Sequence, residues 1–368
     1  MGGTAREFVG LPSPVAGGRA GAGGHPCQGV YHRPAGAAPK TAFIATHYNV
    51  DFSEHYLAEH LAARGHGFLG WNTRFRGNEA YFLLDHALAE IGAGVRWLRE
   101  QAGAERIVLL GNSGGGSLMA AYQSQAVEPN VTPVAGMRPV PAIEDLPAGD
   151  LFVALAAHSG RPEVLTAWMD PSVTDEADPL SVDPSLDPFD PGNGPPYGAE
   201  FQARYRAAQR ARNEHITDRV LARLDALRGT RARDALFTVH RTWADLRMID
   251  PAIEPSDRPP NRCYLGEPAK ANYGVFGLGS LCTLRSWLSM WSLRTSQCVA
   301  APHLARITAP SLVVHATADE GVYDSDARAV LDALAASDKT FHRIKDTHYL
   351  PDSRPEAADL IDAWVRAR

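Results

Sequence analysis

Two hydrophobic periods alternate along this chain. Thr41 to Thr46 is a short apolar run of strand length, and in Ser53 to Arg64 the apolar positions fall three and four apart, as on an amphipathic helix. Ser53 stands where a helix cap would be. Gly67 to Trp71 reads as a second buried strand, and Asp85 to Gln101 as a helix with Leu88, Ile91, Val95 and Leu98 on one face. The apolar runs Arg106 to Leu110 and Asp150 to Ala157 add two more strands. From Pro310 the alternation returns, with Ser311 to Ala316 as strand, Asp324 to Ala336 as helix, Thr340 to Ile344 as strand and Pro355 to Arg366 as helix. Apolar strands separated by helices predict an α/β fold, with a mostly parallel, doubly wound sheet covered on both faces.

Between the two halves, Pro162 to Pro302 shows no buried-strand pattern and is expected to form a mainly helical cap insertion. The expected organisation is an irregular segment with edge strands over 1–40, a first part of the sheet domain over 41–161, the cap over 162–302 and the remaining sheet domain over 303–368. In the Gly-, Ala- and Pro-rich first segment, Cys27 to Arg33 is the one strand candidate, as part of an edge hairpin. The insertion opens on Asp-Pro pairs at Asp170, Asp178, Asp183, Asp187 and Asp190. Each proline pushes its predecessor out of the helical region, so this tract reads as loops and turns. It lacks the D-x-D-x-D-G spacing of a calcium loop, and no metal site is expected. Ala199 to Leu227 and Ala235 to Asp250 read as helices. On the first, Arg204, Arg206, Arg210, Arg212 and Arg219 mix with Glu214 and Asp218, which suits a solvated face or a subunit contact. Tyr273, Phe276, Trp287 and Trp291 are expected either in the cap's own core or as walls of an apolar pocket.

Composition narrows the function classes. A chain of 368 residues has room for one large core with an insertion, or for two domains. The net charge of −6 argues against a nucleic-acid partner. Arginines number 32 against 4 lysines, which reads as a compositional bias of the genome. Met1 to Gly24 lacks a cationic start followed by an apolar core, and no run approaches the roughly eighteen apolar residues of a membrane span. A cytoplasmic protein with no membrane partner is expected, and a homo-oligomer is left open. Cys27, Cys263, Cys282 and Cys298 fall at wide spacings with no C-x-x-C pair, so they read as buried small hydrophobes rather than a zinc site or a disulfide framework.

The chemistry concentrates at Gly111-Asn112-Ser113-Gly114-Gly115-Gly116, where an apolar strand breaks and a helix-competent segment follows at once. A serine on so tight a turn is strained, and neighbours without a Cβ let strand and helix approach. The strain lifts the Ser113 hydroxyl above the sheet edge, where the Gly114 N–H at the helix start can face a developing oxyanion. A phosphate loop is disfavoured because the G-x-x-x-x-G-K-[ST] lysine is missing. A serine hydroxyl needs a base in reach, itself oriented by a carboxylate. In an open parallel sheet these partners stand just past the carboxyl ends of later strands. Asp319 follows the strand ending at Ala316, and His348, 29 residues further on, follows the strand ending at Ile344. Asp324 and Asp326 are alternative acids deeper in the next helix.

The order Ser113, Asp319, His348, each directly after a strand, resembles that of the α/β-hydrolase superfamily, over about 41–157 and 310–368. The resemblance implies Ser113 as nucleophile, His348 as base, Asp319 as its orienter, a cap inserted after the sixth strand, and no cofactor. In many members a His-Gly pair follows the third strand, and the next residue's N–H completes the oxyanion hole. Here the tract is Thr46-His47-Tyr48-Asn49, so Asn49 or Tyr48 would join Gly114 as donor, and His47 would be a loop-packing residue. The cap and this loop are also similar to those of actinobacterial hydrolases that open macrolactones such as zearalenone. The expected function is hydrolysis of a carboxylic ester or lactone of a bulky, apolar small molecule through an acyl-enzyme. An acyltransferase using the same triad, or a non-catalytic binding protein on the same fold, are the alternatives.

Overall fold

The computed structural model describes residues 3–15 and 26–368. Part of the expected N-terminal lead-in, residues 16–25, lies outside the described residues. Strands β1 (Thr4–Leu11), β2 (Cys27–Pro34), β3 (Thr41–Ala45), β4 (Gly67–Asn72), β5 (Arg106–Asn112) and β6 (Leu151–Leu155) precede the insertion. A short ribbon of β7 (Leu236–Thr238) and β8 (Leu281–Thr283) lies within it, and β9 (Ser311–Ala316) and β10 (Lys339–Ile344) follow it. The main sheet runs in the order β1-β2-β4-β3-β5-β6-β9-β10. β1 pairs antiparallel with β2, and β2 antiparallel with β4, while every later pairing is parallel. Where the fold class predicted a mostly parallel sheet, the structure has one.

Strand side chains divide by the two-residue period into two cores. Ala42, Ile44, Ile107, Leu109, Phe152, Ala154 and Val313 point to one face. Phe43, Ala45, Val108, Leu110, Val153, Leu155, Leu312 and Val314 point to the other. Helix α1 (Ala58–Ala63) lies on the second face with the C-terminal helix Arg354–Arg366, through Leu61, Ala358 and Ile361. Helices α2 (Leu84–Glu100) and α3 (Gly115–Val127) cover the first, with Leu88, Ile91, Val95 and Leu98 of α2 buried. The sheet is therefore doubly wound, because its central strands β3, β4, β5, β6 and β9 bury both of their faces.

Residues 156–310 leave the sheet after β6 and return to it at β9, which pairs with β6. They contain α4 (Arg161–Trp168), α5 (Ala199–Leu227) and several shorter helices. Leu165, Ile216, Val220, Trp287 and Trp291 of this insertion belong to the same apolar cluster as the α2 face of the sheet. The insertion thus shares the core of the sheet, and it also holds two smaller clusters of its own, one around Trp168, Trp243 and Met248 and one around Tyr197, Phe201 and Tyr205.

Several expectations change. β1 replaces the irregular start expected before Cys27. It escapes a periodicity reading because Val9 alone among its residues is buried. The helix expected from Ser53 begins only at Ala58 after Leu57, since Ser53 is drawn into a turn: its N–H donates to Asp51 Oδ1 (2.8 Å) and its Oγ accepts from Asn72 Nδ2 (2.8 Å). Ala235 to Asp250 is not one helix. β7 is followed by Arg241 in the left-handed region (φ 60°) and by a short helix, Leu246–Ile249, capped by the Asp245 side chain. Arg212 is buried, donating to both Glu176 carboxylate oxygens (2.7 and 2.8 Å), so it belongs to no solvated face. Trp287 and Trp291 are core, whereas Tyr273 and Phe276 are exposed. In the Asp-Pro tract, Asp178, Asp183, Asp187 and Asp190 each accept the N–H two residues on, which is turn chemistry. All four cysteines are buried and free. Among the described residues no helix is long and apolar enough to cross a membrane, and no group of His, Cys, Asp and Glu could hold a metal ion.

Candidate active site

β5 ends at Asn112 and α3 begins at Gly115, leaving Ser113 and Gly114 to turn the chain. Ser113 lies in the left-handed region, at φ 57°, where a residue with a Cβ is strained. The neighbouring glycines permit the turn. A Cβ on Gly111 would come 2.7 Å from the Gly116 Cα, and one on Gly116 would come 2.5 Å from the Ala157 Cβ.

Asp319 and His348, 206 and 235 residues further along the chain, meet Ser113 at this point. His348 Nε2 is 2.9 Å from Ser113 Oγ, and His348 Nδ1 is 2.6 Å from Asp319 Oδ2. A carboxylate has no proton to give, so Nδ1 carries the imidazole proton and Nε2 is left to accept one from the serine. Asp319 Oδ1 accepts the N–H groups of Gly321 (2.9 Å) and Val322 (3.0 Å). Burial pushes the Asp319 carboxyl up, but His348 and these two N–H groups outweigh it and hold the group below its ordinary value. The alternative acids are engaged elsewhere. Asp324 binds Arg343 and Arg328, which pull its carboxyl down to about 2, and Asp326 accepts the Tyr323 N–H.

Two further side chains reach the site. Tyr264, from the insertion, donates to Asp319 Oδ1 (2.8 Å), and its hydroxyl lies 3.0 Å from His348 Nδ1. His158 Nε2 is 3.2 Å from Ser113 Oγ, on the same atom as His348. Burial above all, then the charges of His348 and Arg161, push the His158 imidazole down to about 3, so it is neutral. Sequence reasoning missed His158, although it obeys the same rule as Asp319 and His348, for it too stands just past the end of a parallel strand, β6.

The loop after β3 departs from the expected donor pattern. The Asn49 N–H donates to His47 Nδ1 (3.3 Å), so it is engaged within its own loop rather than free for a substrate oxygen. The Val50 N–H shares that acceptor at 3.2 Å. The Tyr48 N–H has no acceptor among the described residues, while its side chain is buried with the hydroxyl 3.0 Å from Ser117 Oγ. The Gly114 N–H likewise has no acceptor among the described residues. A groove of about 680 Å³ lies elsewhere, between α5 and β7, and none of the residues around Ser113 lines it. Cavity size and chemistry therefore point to different places, and the hydrogen-bonded chain is the more specific feature.

No family model matches the sequence, and no curated protein matches it. Solved structures do match along most of their length. A monoacylglycerol lipase of Paleococcus ferrophilus is 14% identical over 90% of this chain and 96% of its own, with a TM-score of 0.47. The esterase domain of a Rhodothermus marinus protein is 12% identical over 99% and 98%, with a TM-score of 0.48. Est1E from Butyrivibrio proteoclasticus is 13% identical over 93% of each chain, with a TM-score of 0.49. Likenesses this distant carry no argument here, and the architecture is read from the chain's own fold. The strand order, the polarity of β2 and the turn at Ser113 decide it. This is an α/β-hydrolase fold. The activity carried on that fold has to be argued from the site.

Proposed function

We propose that this chain is a serine hydrolase that cleaves a carboxylic ester or lactone through an acyl-enzyme on Ser113. The observation that carries the reading is the continuous chain from Ser113 Oγ to His348 Nε2 (2.9 Å) and from His348 Nδ1 to Asp319 Oδ2 (2.6 Å). Ser113 Oγ attacks the substrate carbonyl as His348 Nε2 takes its proton. The alcohol then leaves with that proton, and His348 next draws a proton from water that attacks the acyl-enzyme. Asp319 holds the imidazole in the accepting tautomer and stabilises the imidazolium. A hydrolytic dehalogenase or epoxide hydrolase would need a carboxylate at 113, where this chain has serine.

The substrate is read as bulky and largely apolar, a description that a resorcylic macrolactone such as zearalenone fits. Support comes from the aromatic surroundings of the base. Tyr264 packs at a tilt against His348, 4.5 Å between ring centres, Tyr349 meets it edge-on at 4.9 Å, and Trp168 lies 5.8 Å from Tyr264. Such walls favour flat or apolar acyl and alcohol parts. The insertion that contributes Trp168 and Tyr264 acts as a cap over the sheet's carboxyl edge.

The test is turnover across p-nitrophenyl esters of increasing acyl length together with resorcylic lactones. Turnover is expected with the wild type, and Ser113→Ala is expected to lower kcat at least about 10⁴-fold while the fold and ligand binding persist. Faster cleavage of short acyl esters than of any lactone would remove the lactone part of the reading. Ser113→Ala with undiminished turnover would remove the whole.

A further inference from the structure

Three hydrogen-bond donors converge beside Ser113 without an acceptor. The first is the Gly114 N–H. The second is His47: its Nδ1 accepts the N–H groups of Asn49 and Val50, so the proton of this neutral ring sits on Nε2, which has no acceptor among the described residues. The third is Arg161, the first residue of α4, whose side chain is 3% exposed. Its Nη2 donates to Glu79 Oε2 (3.2 Å), and its guanidinium lies between the Tyr48 and Trp291 rings, 4.7 and 4.9 Å from their centres. Its Nε is buried without a partner, whereas its Nη1, also without an acceptor among the described residues, is not fully enclosed by protein. Both side chains aim at the same peptide. A Cβ built on Gly114 would lie 2.7 Å from His47 Nε2 and 3.1 Å from Arg161 Nη1.

Neither Arg161 Nη1 nor His47 Nε2 is fully enclosed, so both donors face open space at the site and are free to meet an acceptor that enters it. A guanidinium held only for packing between two rings would not need a free edge turned toward the turn that carries the nucleophile. Glu79 offsets the charge on one side and leaves the other edge open. Donors fixed in place before the reaction, in a site poor in water, are the arrangement that stabilises charge developing on an oxygen.

We propose that Arg161 Nη1 and His47 Nε2–H act with the Gly114 N–H as the oxyanion donors of this chain. The assignment rests on Ser113 as nucleophile. When Ser113 Oγ bonds to the carbonyl carbon, the carbonyl π pair moves onto its oxygen, and the serine proton goes to His348 Nε2. The oxyanion accepts hydrogen bonds from the three donors. On collapse the pair returns to the C=O, the ester C–O bond breaks, and the alcohol departs with the proton from His348. A cationic donor strengthens this hold relative to a neutral amide.

The assignment is tested with Arg161→Met, Arg161→Lys and the double variant Arg161→Met/Glu79→Gln, which leaves no carboxylate stranded. On neutral esters, Arg161→Met and the double variant are expected to lose about 10²- to 10³-fold in kcat with KM changed less than about threefold. Arg161→Lys should lie between them and the wild type. A trifluoromethyl ketone, which adds to the serine as an oxyanion, should bind these variants more weakly by the same factor, while the matching secondary alcohol binds as before. His47→Gln, whose amide can present an N–H near Nε2, should retain more activity than His47→Leu. Wild-type kcat on neutral esters in the double variant would overturn the proposal. So would a loss confined to KM for esters bearing a carboxylate, which would make Arg161 an anchor for substrate charge. Absence of any ester turnover by the wild type would instead count against Ser113 as nucleophile.

Discussion

Single residues around Ser113 differ in how far the amino-acid pattern exposes them. Ser113, Asp319 and His348 are separated by up to 235 residues, yet each could be named because the carboxyl edge of a parallel sheet gathers the loops that leave its strands. Tyr264 could not. It sits in an irregular stretch of the insertion, and no period or motif ties it to Asp319. Its hydroxyl nevertheless fixes the oxygen of Asp319 that His348 does not use. Tyr264→Phe removes one hydrogen bond to a charged group while the N–H groups of Gly321 and Val322 stay in place. Such a bond contributes about 1.5–3 kcal/mol, part of which holds Asp319 and His348 in line. The expected result is a fall in kcat of about tenfold with KM little changed, measured on a p-nitrophenyl ester. An unchanged kcat would make Tyr264 a wall and nothing more.

Elements were legible where periodicity was strong. The bounds expected for α5, Ala199 to Leu227, are those observed, and α2 differs by one residue at each end. Legibility failed where burial is one-sided or the segment is held by its own side chains. β1 buries Val9 alone, and Ser53 to Leu57 is bent by Asp51 and Asn72 before α1 can start. The Asp-Pro tract shows the same limit from another side, since five similar dipeptides hide two physical roles. Asp178 is exposed and accepts one backbone N–H, from Leu180 (2.9 Å). Asp170 is fully buried, with Oδ2 on Arg241 (2.6 Å) and Asn272 (2.7 Å) and Oδ1 on the Ser172 N–H and hydroxyl. Removing one partner of a buried ion pair costs about 3–5 kcal/mol, because the other charge is stranded. Losing a turn-stabilising side chain costs about 1 kcal/mol. Urea unfolding should therefore show Asp170→Ala destabilised several times more than Asp178→Ala. Equal losses would mean that Arg241 finds water or a new partner.

For the whole molecule, the buried histidines tie stability to pH. Burial pushes the His158 imidazole down to about 3 and that of His55 down to about 4, from an ordinary 6.5. A depressed histidine takes up its proton in the unfolded chain first, so its share of stability is present above about pH 6.5 and is lost as pH falls through that window. Glu163 works in the other direction. Burial lifts its carboxyl to about 7 from 4.5, so the unfolded chain releases the proton first and stability falls as pH rises from 4.5 to 7. His47 is depressed by burial as well, so the buried histidines are expected to outweigh Glu163 and stability to fall on acidification below about pH 6.5. Denaturant unfolding at several pH values should show that fall, and Glu163→Gln, which removes the opposing carboxyl, should steepen it. A wild type whose stability is flat or rises on acidification would contradict this balance.

The central claim about the molecule is that its fold delivers a nucleophilic serine at the turn between β5 and α3. Mapping the adduct of a fluorophosphonate by peptide mass spectrometry tests it most directly. One adduct per chain is expected, on Ser113, lost in Ser113→Ala and formed more slowly in His348→Ala. Labelling at another serine, or no labelling of the folded protein, would contradict the account, and with no labelling the fold would be left to a ligand-binding role.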